Sequence, residues 1–270
     1  MSNAVEPRGL SKVGLQINGW LVYLFLYAPI VLLVIFSFSE SRNVGKWGGF
    51  TLSWYEQFID SSNARNALEN SIKIAIVVTI ISVILGTMSA LALERFTFKG
   101  KRVFDALLYL PIIIPDVTMA VMLLLFFGEF FEILDNLFGL QLRKGFWSIS
   151  ISHIAFNISF VSVVVRARLA GMSTDLEEAA VDLYASRWKA FRHVTFPQIL
   201  PGIAGGALLA MTLSLDDVVI TQFVAGPGWT TLPVYVFGLI RKGVTPLINS
   251  ISVIMLVSSM LLVGLSLLAE

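Results

Sequence analysis

Apolar residues form six long runs along the chain, and polar segments separate them. About 20 apolar residues suffice to cross a bilayer, because a helix rises about 1.5 Å per residue through a hydrocarbon core about 30 Å thick. The pattern predicts six transmembrane helices, at 20–38, 71–93, 104–127, 146–165, 198–223 and 247–269. The third run contains Pro111 and Pro115, which are predicted to break it.

The polar segments define the predicted organisation. Residues 1–18 are expected to precede the membrane, and 19–270 to form a single transmembrane domain. The first apolar run is expected to remain as an anchor, since no A-x-A cleavage site follows it. Residues 39–70 are predicted to be a polar loop, and 128–145 a segment outside the membrane whose acids form one helical face: Glu129, Glu132 and Asp135.

Composition supports an integral membrane protein. The chain is 56% hydrophobic and 14% charged, with a mean hydropathy of +0.82, whereas soluble domains are roughly 25% charged. A net charge of +1 gives no basis for nucleic-acid binding. The absence of cysteine excludes disulfides and thiolate metal sites, and the two histidines, His153 and His193, are not assigned to a metal.

The distribution of basic residues predicts the orientation. Four lysines and arginines lie in the short segment 94–103, against two in 128–145. Basic residues concentrate in short cytoplasmic loops. Both termini are therefore predicted to be cytoplasmic, together with the charged segment 174–201.

Segment 174–201 is long, charged and placed between two apolar runs. It predicts two short helices with a break between them, the first capped by Thr174 with Glu177 completing a capping box. Ser186 is predicted to cap the second helix, and Pro197 and Pro201 to separate it from the next apolar run. From the residues alone, such a connector is either a surface for a partner or a helix lying on the membrane interface.

Several stretches carry a resemblance to a known family. Glu178-Ala179-Ala180, Ala185, Phe191, Pro197 and Ile199-Leu200-Pro201 resemble the EAA loop of ABC importer permeases. LSLDDVVITQFVAGPG at 213–228, TTLPVYVF at 230–237 and PLIN at 246–249 are similar to the polyamine (spermidine/putrescine) branch of these permeases. The likeness extends from the first apolar run to the last.

The resemblance implies an all-α membrane protein of the type I ABC importer class, with six transmembrane helices and a cytoplasmic coupling loop at about 166–198. It implies a bacterial inner-membrane location among lipids, a second permease subunit, two ATPase subunits and a soluble substrate-binding protein. It also implies that the ATPase contacts are made by Glu177, Glu178, Ala179, Ala180, Asp182, Tyr184 and Ala185.

In this interpretation the energy for transport must come from ATP hydrolysis by a partner subunit. No GxxxxGK[ST] phosphate-binding loop occurs in the chain, and Gly226-Pro227-Gly228 is predicted to be a simple turn. The permease is thus expected to be non-catalytic and to bind no cofactor or metal, with Mg-ATP held by the ATPase subunits.

Tyr184 departs from the family pattern, which usually has glycine at the break between the two helices. Glycine suits a left-handed residue that follows a helix end. A tyrosine there is expected to cost about 1 kcal/mol or to select another turn.

Three carboxylates fall inside predicted spans, where charge is costly and needs a reason. Asp116 follows Pro115, and Asp216 and Asp217 lie in the outer half of span five, about 22 Å beyond Pro201 at the helical rise. All three are candidates for the path of a cationic substrate. Since consecutive helix positions diverge by about 100°, one of the adjacent pair is expected to face a cavity while the other bonds to a neighbour or caps a break.

Small residues in the spans predict close helix packing, at Gly86, Ser89 and Ala90 in span two and at Gly202, Gly205, Gly206 and Ala210 in span five.

Three alternative functions remain. They are an ABC importer permease for another substrate such as ferric iron, a proton-coupled carrier that uses Asp216 and Asp217, and an intramembrane enzyme. The residues of the chain argue against the enzyme, because the sequence contains no cysteine, no GxSxG motif and no histidine-aspartate pair at a useful spacing.

Overall fold

A computed structural model of the chain describes residues 9–243 and 245–268. Within these ranges the secondary structure is helical, apart from an isolated antiparallel bridge between Ser39 and Phe50. The α-helices are α1 (Gly9–Ser37), α2 (Ser53–Asp60), α3 (Ser62–Arg95), α4 (Lys101–Ile113), α5 (Asp116–Phe138), α6 (Phe146–Ala170), α7 (Asp175–Asp182), α8 (Arg187–Ala190), α9 (Phe196–Asp216), α10 (Val219–Val224), α11 (Leu232–Lys242) and α12 (Pro246–Leu268). One π-helical turn, Phe191–Thr195, joins α8 to α9.

Five of the helical segments are long and apolar enough to span a membrane: 12–37, 62–95, 116–138, 146–170 and 187–216. A shorter apolar stretch, Pro246–Leu261 of α12, is the sixth. The predicted all-α class with six apolar segments is confirmed. The helices begin and end elsewhere than predicted in several places, because polar residues continue a helix beyond its apolar part.

The third predicted span, 104–127, is broken at Pro115 as predicted, but not at Pro111, which lies inside α4. The chain forms two helices here, α4 and α5, which are separated at Ile114 and Pro115. The physical reason is that the residue before a proline avoids the helical conformation, and Ile114 is extended, with φ −70° and ψ 131°. As a result Asp116 begins α5 instead of lying inside a span, and the acids Glu129, Glu132 and Asp135 belong to the second half of that helix.

Contacts divide the chain into two units, the first formed by residues 1–60 and 239–257. The segment predicted as a polar loop at 39–70 is partly helical, since it contains α2 and the beginning of α3. Ser39 organises the stretch before α2, because its carbonyl accepts from Trp54 Nε1 at 2.8 Å and its hydroxyl donates to the Lys46 carbonyl at 2.9 Å. The helix α1 also begins earlier than predicted, at Gly9; residues 1–8 of the predicted polar segment lie outside the described ranges.

The second unit, residues 61–238 and 258–270, contains the main bundle. Its central helix is α6, which packs against α3 and α9 and is the most buried of the long apolar helices. Val161 of α6 is fully buried between two glycines: a Cβ on Gly86 of α3 would come within 2.7 Å of its side chain, and one on Gly206 of α9 within 3.2 Å. The prediction of close small-residue packing is confirmed at these positions and at the buried Ala90 and Ala210.

Candidate functional site

The coupling segment begins with the short helix α7, and its end has the geometry that the family glycine suggests. Tyr184 has a φ of 63°, in the left-handed region. The Ala185 N–H donates to the Ala180 carbonyl at 3.0 Å, and the Tyr184 N–H donates to the Val181 carbonyl at 2.9 Å. These two bonds form a Schellman motif, so the chain keeps the usual turn and places tyrosine where glycine is favoured.

The predicted capping box at the start of α7 is wrong. Thr174 has near-helical angles and its side chain makes no capping bond; instead the Ser173 hydroxyl accepts from the Asp175 N–H at 3.0 Å. Glu177 cannot turn back to the helix start, because its carboxylate is bound by other elements. A capping side chain normally comes from a residue with an extended backbone, whereas Thr174 has φ −78° and ψ −11°.

The second helix, α8, is capped as predicted: Ser186 is extended and its hydroxyl accepts from the Lys189 N–H at 3.3 Å. The separation expected at Pro197 and Pro201 is wrong, since α8 continues through the π turn into α9. In that turn the Phe196 N–H donates to the Phe191 carbonyl, five residues earlier. The wider turn immediately precedes Pro197, whose ring and missing N–H would disturb a regular α-helical ladder.

The outer surface of this coupling segment is apolar and exposed. Leu183 is 81% exposed, Tyr184 100% and Trp188 67%, and the Trp188 ring stacks on Phe191 with centroids 5.6 Å apart. The predicted contact residues Glu178, Ala179 and Asp182 are exposed as well, and Ala180 and Ala185 are half-buried. Exposed aromatic and aliphatic side chains beside charged ones are typical of a protein interface.

Glu177 differs from the rest of the predicted ATPase contacts because its carboxylate points to the chain itself. One oxygen, Oε1, lies 3.0 Å from Arg95 Nη2 at the end of α3 and accepts from Thr195 Oγ1 at 2.6 Å. The carboxylate therefore joins α7 to α3 and to the π turn that leads into α9.

A second charged cluster holds the same ends of the transmembrane helices together. Arg166 of α6 donates from Nε to Glu94 Oε1 at 2.8 Å and from Nη1 to Asp105 Oδ1 at 2.6 Å. It thus links the end of α3 to the start of α4. Sequence analysis missed this cluster, since its members lie on three different helices and form no local pattern.

The two adjacent aspartates of span five have different environments. Between them α9 ends, and Asp217 is extended, with φ −67° and ψ 126°. Its carboxylate accepts from the backbone N–H groups of Ile220 and Thr221, at 3.3 and 2.7 Å, and so caps the short helix α10. The predicted capping of a local break is therefore observed at Asp217.

His153 of α6 completes the environment of Asp217. Its Nε2 lies 3.2 Å from Asp217 Oδ2 and 3.0 Å from Thr221 Oγ1, and its Nδ1 lies 2.9 Å from Ser214 Oγ. The ring is fully buried. The sequence analysis found no histidine-aspartate pair at a useful spacing, and that inference is wrong. The fold brings His153 and Asp217 together although they are 64 residues apart in sequence. Both ring nitrogens of His153 are hydrogen-bonded within the protein, which indicates a structural role for this histidine.

Asp216 and Asp116 are both exposed within the described chain. Asp216 is the last residue of α9, at the break before α10, and Asp116 lies in the first turn of α5, where a negative charge suits the helix dipole. Backbone breaks at membrane depth occur where the chain is buried in protein or lines a polar cavity. Of the three predicted path residues, Asp116 and Asp216 both combine exposure with a helix break, whereas the Asp217 carboxylate is bonded within the fold.

The sequence matches the family model described as "Binding-protein-dependent transport system inner membrane component" over residues 82–269. The match includes the coupling segment and the helix break at Asp217. The chain belongs to this family. It is therefore a permease-type, multi-pass inner-membrane protein, as the resemblance in the EAA loop implied.

Relatives in the same family resemble this chain along most of its length. The spermidine/putrescine transport system permease protein PotC of Escherichia coli K12 is 37% identical over 242 residues, which are 90% of this chain and 88% of PotC. The putrescine transport system permease protein PotI of the same strain is 40% identical over 235 residues, 87% of this chain and 82% of PotI.

The fold has a counterpart among solved structures. A bacterial ABC transporter involved in the import of the acidic polysaccharide alginate aligns with a TM-score of 0.79, covering 96% of this chain and 94% of the other. The sequences are 17% identical, so the likeness concerns the fold alone. It confirms the predicted type I ABC importer architecture.

Proposed function

We propose that this chain is the transmembrane subunit of an ATP-driven importer that carries polyamines, putrescine or spermidine, across the inner membrane. The observation that carries the proposal is the exposed Asp216 at the break between α9 and α10, inside the LSLDDVV stretch similar to polyamine permeases. The names of PotC and PotI, each at least 37% identical to this chain, support the same substrate class.

The substrate's charge explains the need for a carboxylate. A diamine carries two positive charges at neutral pH, and moving them through a low-dielectric region requires negative charge or water. Asp216 supplies that charge, and Asp116 at the start of α5 is a second candidate for the path. Asp217 is engaged by His153, Thr221 and the α10 backbone and holds the break in place.

The remaining subunits follow from the family and from the exposed surfaces. A soluble binding protein delivers substrate, in keeping with the family description. A second permease subunit and lipid cover the exposed apolar helices such as α1. Two ATPases complete the complex, and one of them binds the coupling segment of this chain, with Leu183, Tyr184 and Trp188 as the apolar contacts and Glu178 as the charged one.

The proposal also covers the source of energy for transport and the orientation of the chain in the membrane. Mg-ATP is held by the ATPase subunits, and this chain contributes neither a cofactor site nor catalysis. Both termini lie in the cytoplasm, which puts the coupling segment on the side where ATP is available. Closure of the ATPases moves the coupling segment and switches the path between inward-facing and outward-facing states.

Growth of a polyamine auxotroph that carries the complete transport system tests the proposal. We expect putrescine or spermidine to restore growth and each to compete with the other. Failure of both polyamines to restore growth, with ATP-dependent uptake of ferric iron by the same complex, would identify the alternative substrate and contradict the proposal. Polyamine uptake that persists without the ATPase subunits would instead support a proton-coupled carrier.

A further inference from the structure

The coupling helix α7 buries few apolar side chains against the rest of the protein. No residue of α7, all of which lies within the described chain, is buried, and its large apolar side chains Leu176 and Val181 are exposed. Burial of apolar side chains is normally what fixes a short helix in a fold, since eight residues are too few for a stable isolated helix. The position of α7 must therefore depend on other contacts.

The Glu177 carboxylate provides such contacts, and it does so to two elements at once. Its Oε1 accepts from the hydroxyl of Thr195 at 2.6 Å and lies 3.0 Å from Arg95 Nη2. Thr195 is buried, and the side chains of Arg95 and Glu177 are 19% and 30% exposed. The hydrogen bond from the Thr195 hydroxyl is charge-assisted and therefore stronger than a neutral one. The contact with Arg95 is an ion pair, which is only partly screened at such exposure.

Each partner of Glu177 stands at the end of a transmembrane helix. Arg95 is the last residue of α3, and Thr195 is the last residue of the π turn that continues into α9. At its other end α9 carries Asp216. A π turn is an irregularity in the helical ladder where a helix can change direction, and such turns are frequent at functional sites.

We propose that Glu177 is a positioning residue that transmits movement of the coupling helix to α3 and α9, and that it does not itself bind the ATPase. The proposal rests on the proposed docking of an ATPase on this segment. When the ATPases pull on the exposed surface of α7, the Glu177 carboxylate carries the displacement to the base of α9 through Thr195 and to the base of α3 through Arg95. Without these bonds, α7 moves with the ATPase while the substrate path does not follow.

The test compares substrate transport with ATP hydrolysis in complete complexes reconstituted into proteoliposomes. Glu177→Gln removes the charge but keeps the shape, and Thr195→Val removes the hydroxyl but keeps the volume. Asp175→Asn is the matched control, because it removes a negative charge from the exposed first turn of the same helix. The readout is spermidine transported per ATP hydrolysed, measured on equal amounts of assembled complex.

We expect both Glu177→Gln and Thr195→Val to retain ATP hydrolysis and to lower the transport-to-hydrolysis ratio by about fivefold, the lower end of typical coupling between two sites. Asp175→Asn is expected to keep the wild-type ratio. Exchange of the charges, in the double variant Arg95→Glu with Glu177→Arg, is expected to restore part of the ratio lost in Glu177→Gln.

A wild-type ratio in both Glu177→Gln and Thr195→Val overturns the proposal. So does loss of ATPase binding in pull-downs of Glu177→Gln with Thr195→Val unaffected, since that pattern assigns the carboxylate to the ATPase interface. The proposed function fails separately, by the absence of ATP-dependent polyamine uptake in the wild-type complex, which leaves no ratio to compare.

Discussion

The imidazole of His153 and the carboxylate of Asp217 lie 3.2 Å apart, although 64 residues separate them in the sequence. The pair joins the central helix α6 to the point where α9 ends and α10 begins. Because Asp217 also caps α10, its carboxylate is committed to the fold. Its neighbour Asp216 is exposed and is the residue of the two that can meet a substrate.

Replacement of Asp217 by Asn tests this division of roles. Asn keeps the shape but removes the charge that accepts two backbone N–H groups and faces His153, so we expect a loss of stability of about 1–3 kcal/mol. Fluorescence size-exclusion of the detergent-solubilised complex after heating measures this loss. His153→Asn is expected to destabilise the complex similarly; unchanged melting of both variants would contradict the structural role.

Glu178 offers a test of ATPase docking, since it is exposed on α7 next to the internally bound Glu177. Reversal of its charge in Glu178→Lys is expected to leave membrane insertion unchanged and to weaken retention of the ATPase by about tenfold, which corresponds to about 1.4 kcal/mol. Pull-down with a tagged ATPase measures the retention, with Asp175→Lys as the charge-matched control. Full retention and full uptake in Glu178→Lys would remove this residue from the interface.

Tyr184 gives a prediction for the local stability of the turn that follows α7. Glycine accepts its left-handed conformation without strain, so Tyr184→Gly is expected to stabilise the turn by up to about 1 kcal/mol and to leave transport active. Hydrogen exchange of the Tyr184 and Ala185 amide groups in the permease without ATPase measures the turn and should slow by up to about fivefold. Faster exchange would show that the tyrosine ring stabilises the turn through packing.

The contact between α3 and α6 at Gly86 and Val161 is tight enough for a packing test. A Cβ on Gly86 would stand 2.7 Å from the Val161 side chain, so Gly86→Ala is expected to cost about 1–3 kcal/mol. Combination with Val161→Ala should recover part of that cost, and the double-mutant cycle measures the coupling. Gly128→Ala in α5 is the control, because its Cβ would meet no atom of the described chain within 4 Å. Equal melting temperatures of Gly86→Ala and the control would contradict the packing.

Local patterns predicted the parts of this fold that local physics determines. Apolar length located the spanning helices apart from the third, and the Ser186 cap and the small residues Gly86 and Gly206 were placed correctly. The turn at Tyr184 was foreseen as either strained or altered, and the structure shows the strained left-handed form. Each of these features depends on residues that are close in sequence, on the size of a single residue or on the length of an apolar run.

The errors arose where distant elements decide the outcome. Glu177 pairs with Arg95 and Thr195 instead of capping its own helix, because those partners are brought to it by α3 and by the π turn. Pro197 does not end a helix, since the wider turn before it accommodates the proline. The His153–Asp217 pair could not be predicted, because the sequence shows only a histidine and a carboxylate in two separate predicted spans.

Asp216 leads to the measurement that tests the account most directly. Complete complexes carrying wild-type chain or Asp216→Asn are reconstituted into proteoliposomes, and ATP-dependent uptake of radiolabelled spermidine is normalised to assembled complex. We predict ATP-dependent uptake by the wild type, and a reduction of about tenfold or more in Asp216→Asn with assembly unchanged, because one charge that faces the cationic substrate is lost. Wild-type rates in Asp216→Asn, or no spermidine uptake by the intact complex, would contradict the account.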